Sequence, residues 1–103
     1  MKLPAQRRYA AVYPHDHSLS IAHGPVPSPL PAEVLIKVAA AGLNRADLLQ
    51  RKGLYPPPAD ASPIMGLEVA GEVIAVGAGV DNWRVGDRLC ALTHWGGYAD
   101  YTV

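Results

Sequence analysis

Apolar and polar residues alternate in short runs along most of the chain, and glycines and prolines separate the runs. In the run 33–41, Val34, Ile36 and Val38 fall on one face of an extended strand, whereas Lys37 falls on the other. Alternation of this kind is typical of half-buried strands. The pattern therefore predicts short strands at residues 9–13, 19–23, 33–41, 69–76, 85–92 and 98–103.

A single segment, residues 44–53 (NRADLLQRKG), predicts a helix instead. Asn44 is a favourable N-cap, Asp47 places an acid in the first turn, and Gly53 ends the segment. Several short strands, regular turn signals and one helix starting near Asn44 predict a mostly β fold, a small barrel.

Composition narrows the functional classes. The chain has 103 residues, with nine basic and nine acidic side chains. This balance argues against nucleic acid as a partner, because a phosphate backbone requires an excess of Lys and Arg. Cys90 is the only cysteine, so no internal disulfide can form. No apolar stretch is long enough to span a bilayer, and the basic start leads into no signal-peptide core. We therefore expect a cytoplasmic protein without membrane contact.

Three stretches of sequence together carry a resemblance to a known family. They are residues 41–58 (AGLNRADLLQRKGLYPPP), residues 65–80 (MGLEVAGEVIAVGAGV), and residues 85–101 with VGDRL at their start and GGYADY at their end. In this order they resemble the N-terminal GroES-like domain of the medium-chain dehydrogenase/reductases, specifically the quinone oxidoreductase (zeta-crystallin-like) branch. The resemblance runs from about Glu33 to the end of the chain, and the segment before it matches only loosely.

This resemblance implies a GroES-like β-barrel over residues 1–103 that forms the substrate side of a larger enzyme. In the family, a nucleotide-binding Rossmann domain follows the barrel, and substrate and nicotinamide meet between the two. We expect that domain to be absent from this chain, because GAG at 77–79 predicts a turn that no helix follows. The chain alone is therefore expected to be inactive, and an exposed sheet edge is expected to favour a homo-oligomer.

The presence or absence of a catalytic zinc ion distinguishes the branches of the superfamily that this chain resembles. A catalytic zinc site needs three protein ligands from thiolate, imidazole or carboxylate groups. In the zinc alcohol dehydrogenases that this chain resembles, the first ligand is a cysteine at the position of Asn44. The second is a histidine at the position of Leu67, within a Gly-His-Glu motif that here is Gly-Leu-Glu. An amide and an alkyl group cannot replace these ligands, so we expect no zinc and no other metal.

Cys90 and the histidines have simpler interpretations. Cys90 alternates with Arg88 and Leu92 along a predicted strand, so we expect a half-buried core thiol. His15 and His17 form a His-x-His pair, but no third ligand lies at a recognised spacing. A solvated turn is the expected structure there.

Asn44, Tyr55 and Leu67 are the candidate site residues. Without zinc, a carbonyl must be polarised by donors aimed at the developing oxyanion. Asn44 caps the helix or, as the resemblance implies, lies beside the nicotinamide ribose with a catalytic role, and these roles are compatible. Tyr55 covers the barrel end or, as the resemblance implies, faces the cleft as a catalytic residue that contacts the quinone. The resemblance places Leu67 in the substrate pocket. Asp47 is interpreted as a structural first-turn acid, and Glu68 as the partner of a nearby base.

The resemblance thus implies the substrate-side domain of a zinc-independent, NADPH-dependent oxidoreductase of quinones or enones, in which the nicotinamide transfers a hydride to a small molecule. The preference for NADPH over NADH follows from the branch only. The alternative is a free-standing GroES-like binding or co-chaperone-like module. That alternative requires a mobile loop and a ring-forming interface, and it leaves the helix from Asn44 and the loop at 54–58 without a role.

Overall fold

Six strands and one helix make up the part of the chain, residues 3–103, that the computed structural model describes. The elements in chain order are β1 (Gln6–Val12), β2 (Leu19–Pro25), β3 (Val34–Ala41), α1 (Arg45–Arg51), β4 (Glu68–Val76), β5 (Arg88–Leu92) and β6 (Tyr101–Thr102). The prediction of a mostly β fold with one short helix beginning near Asn44 is confirmed. Within residues 3–103, no helix has the length and apolar character needed to cross a membrane.

The strands form two antiparallel sheets, and backbone hydrogen bonds connect one sheet to the other. β1 pairs with β2, and the second sheet has the order β5-β4-β3-β6. β1 meets the second sheet just before β6. There the N–H of Ala10 donates to the carbonyl of Tyr98 (2.9 Å), and the N–H of Asp100 donates to the carbonyl of Arg8 (3.1 Å). The result is a partly open barrel whose edges, within residues 3–103, are β2 and β5.

The core is built on the two central strands of the larger sheet. Leu35 of β3 and Val69 and Val73 of β4 are fully buried. Ile36 is buried as well, although neighbouring side chains of a strand point to opposite faces. The register between β3 and β4 shifts between Leu35 and Ile36, and both faces of β3 are covered at this point.

The helix begins and ends at the predicted signals. Asn44 has an extended backbone, with φ −131° and ψ 152°, and helical geometry starts at the next residue. Gly53 has φ +73°, a left-handed conformation that ends the helix at little steric cost. The inner face of α1 buries Asp47 and Gln50. Gln50 Oε1 accepts the N–H of Gly66 at 3.0 Å, and this bond ties the helix to the loop before β4.

Two strands are shorter than the pattern predicts. Residues 85–87 belong to a turn before β5, because the N–H of Asp87 donates to the carbonyl of Arg84 (3.0 Å) and Gly86 has φ +99°. β6 covers only Tyr101–Thr102, since the residues before it bridge to β1 instead. The predicted turn at 77–79 is confirmed, and the N–H of Gly77 donates to the carbonyl of Glu33 at 2.7 Å.

The interpretation of Cys90 as a half-buried core thiol is wrong. Cys90 is exposed. It shares one face of β5 with Arg88 and Leu92, and Leu92 is 85% exposed. The alternation along the strand is real, but β5 is an edge strand and the face that carries Cys90 is left uncovered. The sequence pattern could not tell which of the two faces is inward.

Two loop segments cross at Gly66 and Gly97 with almost no space between their backbones. The N–H of Gly97 donates to the carbonyl of Gly66 (3.0 Å), and the N–H of Tyr98 donates to the carbonyl of Met65 (3.0 Å). Gly66 has φ +101°, and a Cβ placed on it would lie 2.6 Å from the backbone nitrogen of Tyr98. Only glycine fits here, because both the conformation and the close approach exclude a side chain.

We predict that Gly66→Ala lowers the free energy of unfolding by about 2–3 kcal/mol, because it adds backbone strain and a clash with main-chain atoms. Gly79→Ala is the matched control. Gly79 also has positive φ, +78°, but nothing lies within 4 Å of its added Cβ, so the expected loss is about 1 kcal/mol. Chemical denaturation measures both values, and equal losses would contradict the close crossing.

Candidate functional site

Asn44 and Leu67, two of the three predicted site residues, line the same surface cavity. This cavity of about 430 Å³ lies at the start of α1. Its lining consists of Asn44, Arg45, Ala46, Leu67, Leu92 and Thr93. Asn44 also lines a second, mostly apolar cavity of about 380 Å³, together with Leu43, Leu48 and Tyr98 among others. Asn44, at the helix start, thus borders both cavities.

The side chain of Asn44 is held by Glu68. Asn44 Nδ2 donates to Glu68 Oε1 at 3.1 Å, and both residues are exposed. The expectation that Glu68 pairs with a base is wrong, because its partner is this amide. An ionised carboxylate only accepts hydrogen bonds, so the amide nitrogen must face Glu68. The amide oxygen of Asn44 then faces the main-chain N–H of Asp47 in a capping box, and its second lone pair can accept a further hydrogen bond.

The main chain of Asn44 is held by Asp47. The Asp47 carboxylate is 4% exposed, and its Oδ2 accepts the N–H of Asn44 at 2.8 Å. The same oxygen accepts the hydroxyl of Tyr98, which also lies 3.2 Å from the carbonyl oxygen of Gly42. Asp47 is therefore the structural first-turn acid that the sequence indicates, with a second partner, Tyr98, far along the chain.

Tyr98 is the residue of this site that sequence reasoning missed. Burial raises the pKa of Tyr98 well above its ordinary value, and the hydrogen bond to Asp47 and the negative charges of Asp47 and Glu68 raise it further. Its hydroxyl therefore keeps its proton at neutral pH and donates a hydrogen bond to Asp47. No local signal marks this residue, since its contact with Asp47 spans 51 positions of sequence. The only sequence signal near it is the presence of glycines at positions 66 and 97, which is compatible with a close backbone crossing.

Tyr55 lies on the loop after α1, outside both cavities that Asn44 lines. It is 42% exposed, and its ring packs edge-on against Trp95, with centroids 5.7 Å apart and an interplanar angle of 66°. Trp95 itself is 5% exposed, so its indole belongs to the buried core. The indole on one side and the prolines 56–58 after it restrict the direction of the Tyr55 phenol.

Within residues 3–103, no group of three or more His, Cys, Asp or Glu side chains lies close enough together to hold a metal ion. The His-x-His pair lies in a turn, where the N–H of His17 donates to the carbonyl of Tyr13 at 2.8 Å. His94 instead forms an exposed hydrogen bond with Asp60, at 3.0 Å between Nε2 and Oδ1.

The sequence of this domain matches a family model, that of the alcohol dehydrogenase GroES-like domain, over residues 30–103. The chain belongs to that family. A synaptic vesicle membrane protein VAT-1 homolog of Rattus norvegicus is 47% identical over 72 residues, which are 68% of this chain and 17% of the relative. A probable quinone oxidoreductase of Schizosaccharomyces pombe is 47% identical over 78 residues, which are 75% of this chain and 23% of the relative.

Solved structures of the same group share the fold. The human synaptic vesicle membrane protein VAT-1 homolog-like protein has a TM-score of 0.81 at 28% identity, covering 94% of this chain and 32% of that one. A quinone oxidoreductase of Pseudomonas syringae has a TM-score of 0.77 at 34% identity, covering 94% and 30%. The resemblance to the quinone oxidoreductase branch of the medium-chain dehydrogenase/reductases is thereby confirmed. The chain spans about a fifth of the curated relatives and about a third of these solved chains.

We predict that Tyr98→Phe lowers the free energy of unfolding by about 1–2 kcal/mol near neutral pH, because the buried Asp47 carboxylate loses a donor. The wild type should also lose stability as pH rises above about 10. There the unfolded tyrosine ionises while the folded one keeps its proton, so the unfolded state is favoured.

The Phe variant should lack that part of the alkaline loss. Tyr101→Phe is the control, since it removes a hydroxyl from another tyrosine near the end of the chain that is not bonded to Asp47. Denaturation at several pH values measures both effects, and identical alkaline profiles for wild type and Tyr98→Phe would refute the assignment.

Proposed function

We propose that this chain is the substrate-side domain of a zinc-independent, NADPH-dependent oxidoreductase acting on quinones or enones, and that its nucleotide-binding domain lies outside residues 1–103. The observation that carries the proposal is that Asn44 and Leu67 line one cavity. The resemblance implies that they occupy the positions of two zinc ligands of the zinc alcohol dehydrogenases. An amide and an alkyl side chain make that cavity suited to an organic ring system and unsuited to a metal.

The side chains that line this cavity are chemically compatible with a nicotinamide ring. Leu67 and Leu92 offer an apolar wall, and Asn44 brings one amide to it. Pockets for cofactors are commonly apolar with a few oriented polar groups of this kind. When bound, NADPH supplies the hydride, and the protein supplies position and electrostatics. In this proposal, the Asn44 oxygen accepts a hydrogen bond from a ribose hydroxyl, and Leu67 excludes water from the ring.

Tyr55 is proposed as the group that contacts the substrate. Its phenol is partly exposed, and Trp95 restricts the ring. A restricted donor loses little entropy on binding and can donate to a substrate oxygen as that oxygen gains negative charge. Because Tyr55 lies outside the cavity of Asn44 and Leu67, the substrate in this proposal lies between that cavity and the loop of Tyr55.

The chain alone is proposed to be inactive and to bind NADPH weakly. In dinucleotide-binding folds, the phosphates and the ribose 2′ position are recognised by the Gly-rich turn and the acidic or basic residue of the Rossmann domain. Only the nicotinamide end would meet the residues of this barrel. Relatives that carry the name quinone oxidoreductase support this reaction class.

We predict that Asn44→Ala and Tyr55→Phe each lower kcat/KM for a quinone by about 10- to 100-fold in the full-length enzyme, the effect of losing one or two oriented hydrogen bonds. Asn82→Ala and Tyr13→Phe are the controls, because they make the same changes at exposed loop positions. Steady-state kinetics with NADPH and a quinone provide the measurement. Unchanged kinetics in both site variants would reduce Asn44 to a helix cap and Tyr55 to a packing residue.

We also predict that the full-length protein holds no stoichiometric zinc. The reason is the chemistry of Asn44 and Leu67, which offer neither thiolate nor imidazole. Elemental analysis after dialysis against a chelator measures the metal content. About one zinc per chain would contradict the proposal and would require ligands from elsewhere in the protein.

A further inference from the structure

We propose that Glu68 is a positioning residue, whose carboxylate fixes the side-chain amide of Asn44 so that the amide oxygen faces the nicotinamide. This inference rests on the proposed function and adds to it a determinant of cofactor binding. Glu68 does not act on the substrate; it acts through Asn44.

The first argument is the polarity of the hydrogen bond. Asn44 Nδ2 lies 3.1 Å from Glu68 Oε1. If the amide were turned over, its oxygen would face the carboxylate oxygen and no proton would lie between them. A carboxylate has no donor to offer, so one of the two amide orientations is strongly favoured. An unpaired asparagine would sample both, and only one presents an acceptor to a ribose hydroxyl.

The second argument is the space that Gly42 leaves for the carboxylate. A Cβ added to Gly42 would lie 2.5 Å from Glu68 Oε2 and 2.6 Å from its Cδ. The three nearest atoms to that position all belong to the Glu68 side chain. The backbone of Gly42 lies outside the left-handed region, so conformation does not require glycine here. The missing side chain makes room for the carboxylate of Glu68.

The third argument is that the backbones on both sides of the pair are fixed. Glu68 is the first residue of β4, and its carbonyl accepts the N–H of Gly42 at 2.9 Å. The N–H of Asn44 is held by Asp47 at 2.8 Å. The contact between the two side chains therefore joins two positions that the fold has already fixed, so forming it costs side-chain entropy but little backbone entropy.

Three variants of the full-length protein test this role. Glu68→Ala removes the acceptor, and Gly42→Ala displaces the carboxylate without changing either member of the pair. Glu68→Gln keeps an acceptor but also offers a donor, so both amide orientations become available. Glu72→Ala is the matched control, because Glu72 is an exposed carboxylate four positions later on β4.

Two measurements report on each variant. The first is the side-chain amide resonance of Asn44 in protein labelled with ¹⁵N-asparagine, assigned by its loss in Asn44→Ala, and it requires no cofactor. The second is the Kd for NADPH from fluorescence titration. We expect Glu68→Ala and Gly42→Ala to shift the amide resonance in the same way and to raise Kd about three- to tenfold, which corresponds to one partly exposed hydrogen bond. Glu68→Gln should fall between them and the wild type, and Glu72→Ala should change neither readout.

An Asn44 resonance that is the same in wild type, Glu68→Ala and Gly42→Ala would overturn the positioning role. A shifted resonance with unchanged Kd would overturn its link to the cofactor. Failure of the wild type itself to bind NADPH would instead overturn the proposed function, whatever the resonance shows.

Discussion

A carboxylate that is removed from water needs hydrogen-bond donors, and most of the site follows from where Asp47 finds them. Its buried Oδ2 accepts the main-chain N–H of Asn44 and the hydroxyl of Tyr98. The first bond fixes where α1 begins. The second fixes the loop before β6 against the helix, and that loop can approach only because Gly66 and Gly97 cross without side chains. The other oxygen, Oδ1, is buried without a hydrogen-bond partner among residues 3–103, so the two bonds at Oδ2 alone offset the cost of removing this carboxylate from water.

These backbone contacts hold in place a few side chains at the start of α1, and the chemistry that we propose for the site depends on them. Asn44 and Leu67 share a cavity, and Glu68 orients Asn44. The resemblance to the zinc alcohol dehydrogenases implies that a related fold can hold zinc at this place, where Asn44 and Leu67 offer no metal ligand. In the metal-free form that we propose, oriented hydrogen bonds and an apolar wall replace the metal as the means of positioning the cofactor and substrate.

The sequence predicted those features that depend on interactions between neighbouring residues, namely the ends of the helix and the positions of the strands. The N-cap, the first-turn acid and Gly53 located the helix, and alternation located the strands, because each depends on neighbours within a few residues. The sequence could not predict contacts between distant segments. Glu68 was expected to pair with a base, yet its partner is Asn44, 24 positions away. Cys90 was expected in the core, yet the position of β5 at the sheet edge leaves its face open. The family resemblance, carried by three motifs in a fixed order, indicated the family and the candidate residues Asn44, Tyr55 and Leu67, but it did not predict these contacts either.

The central claim is that Asn44 holds the nicotinamide end of NADPH at the cavity that it shares with Leu67. A crystal structure of the full-length protein with NADPH bound is the most direct test. Our account predicts that the Asn44 side-chain oxygen lies within hydrogen-bonding distance, about 2.6–3.2 Å, of a hydroxyl on the nicotinamide ribose, with its nitrogen still on Glu68. A nicotinamide bound away from this cavity, or an Asn44 amide that contacts only protein, would contradict it.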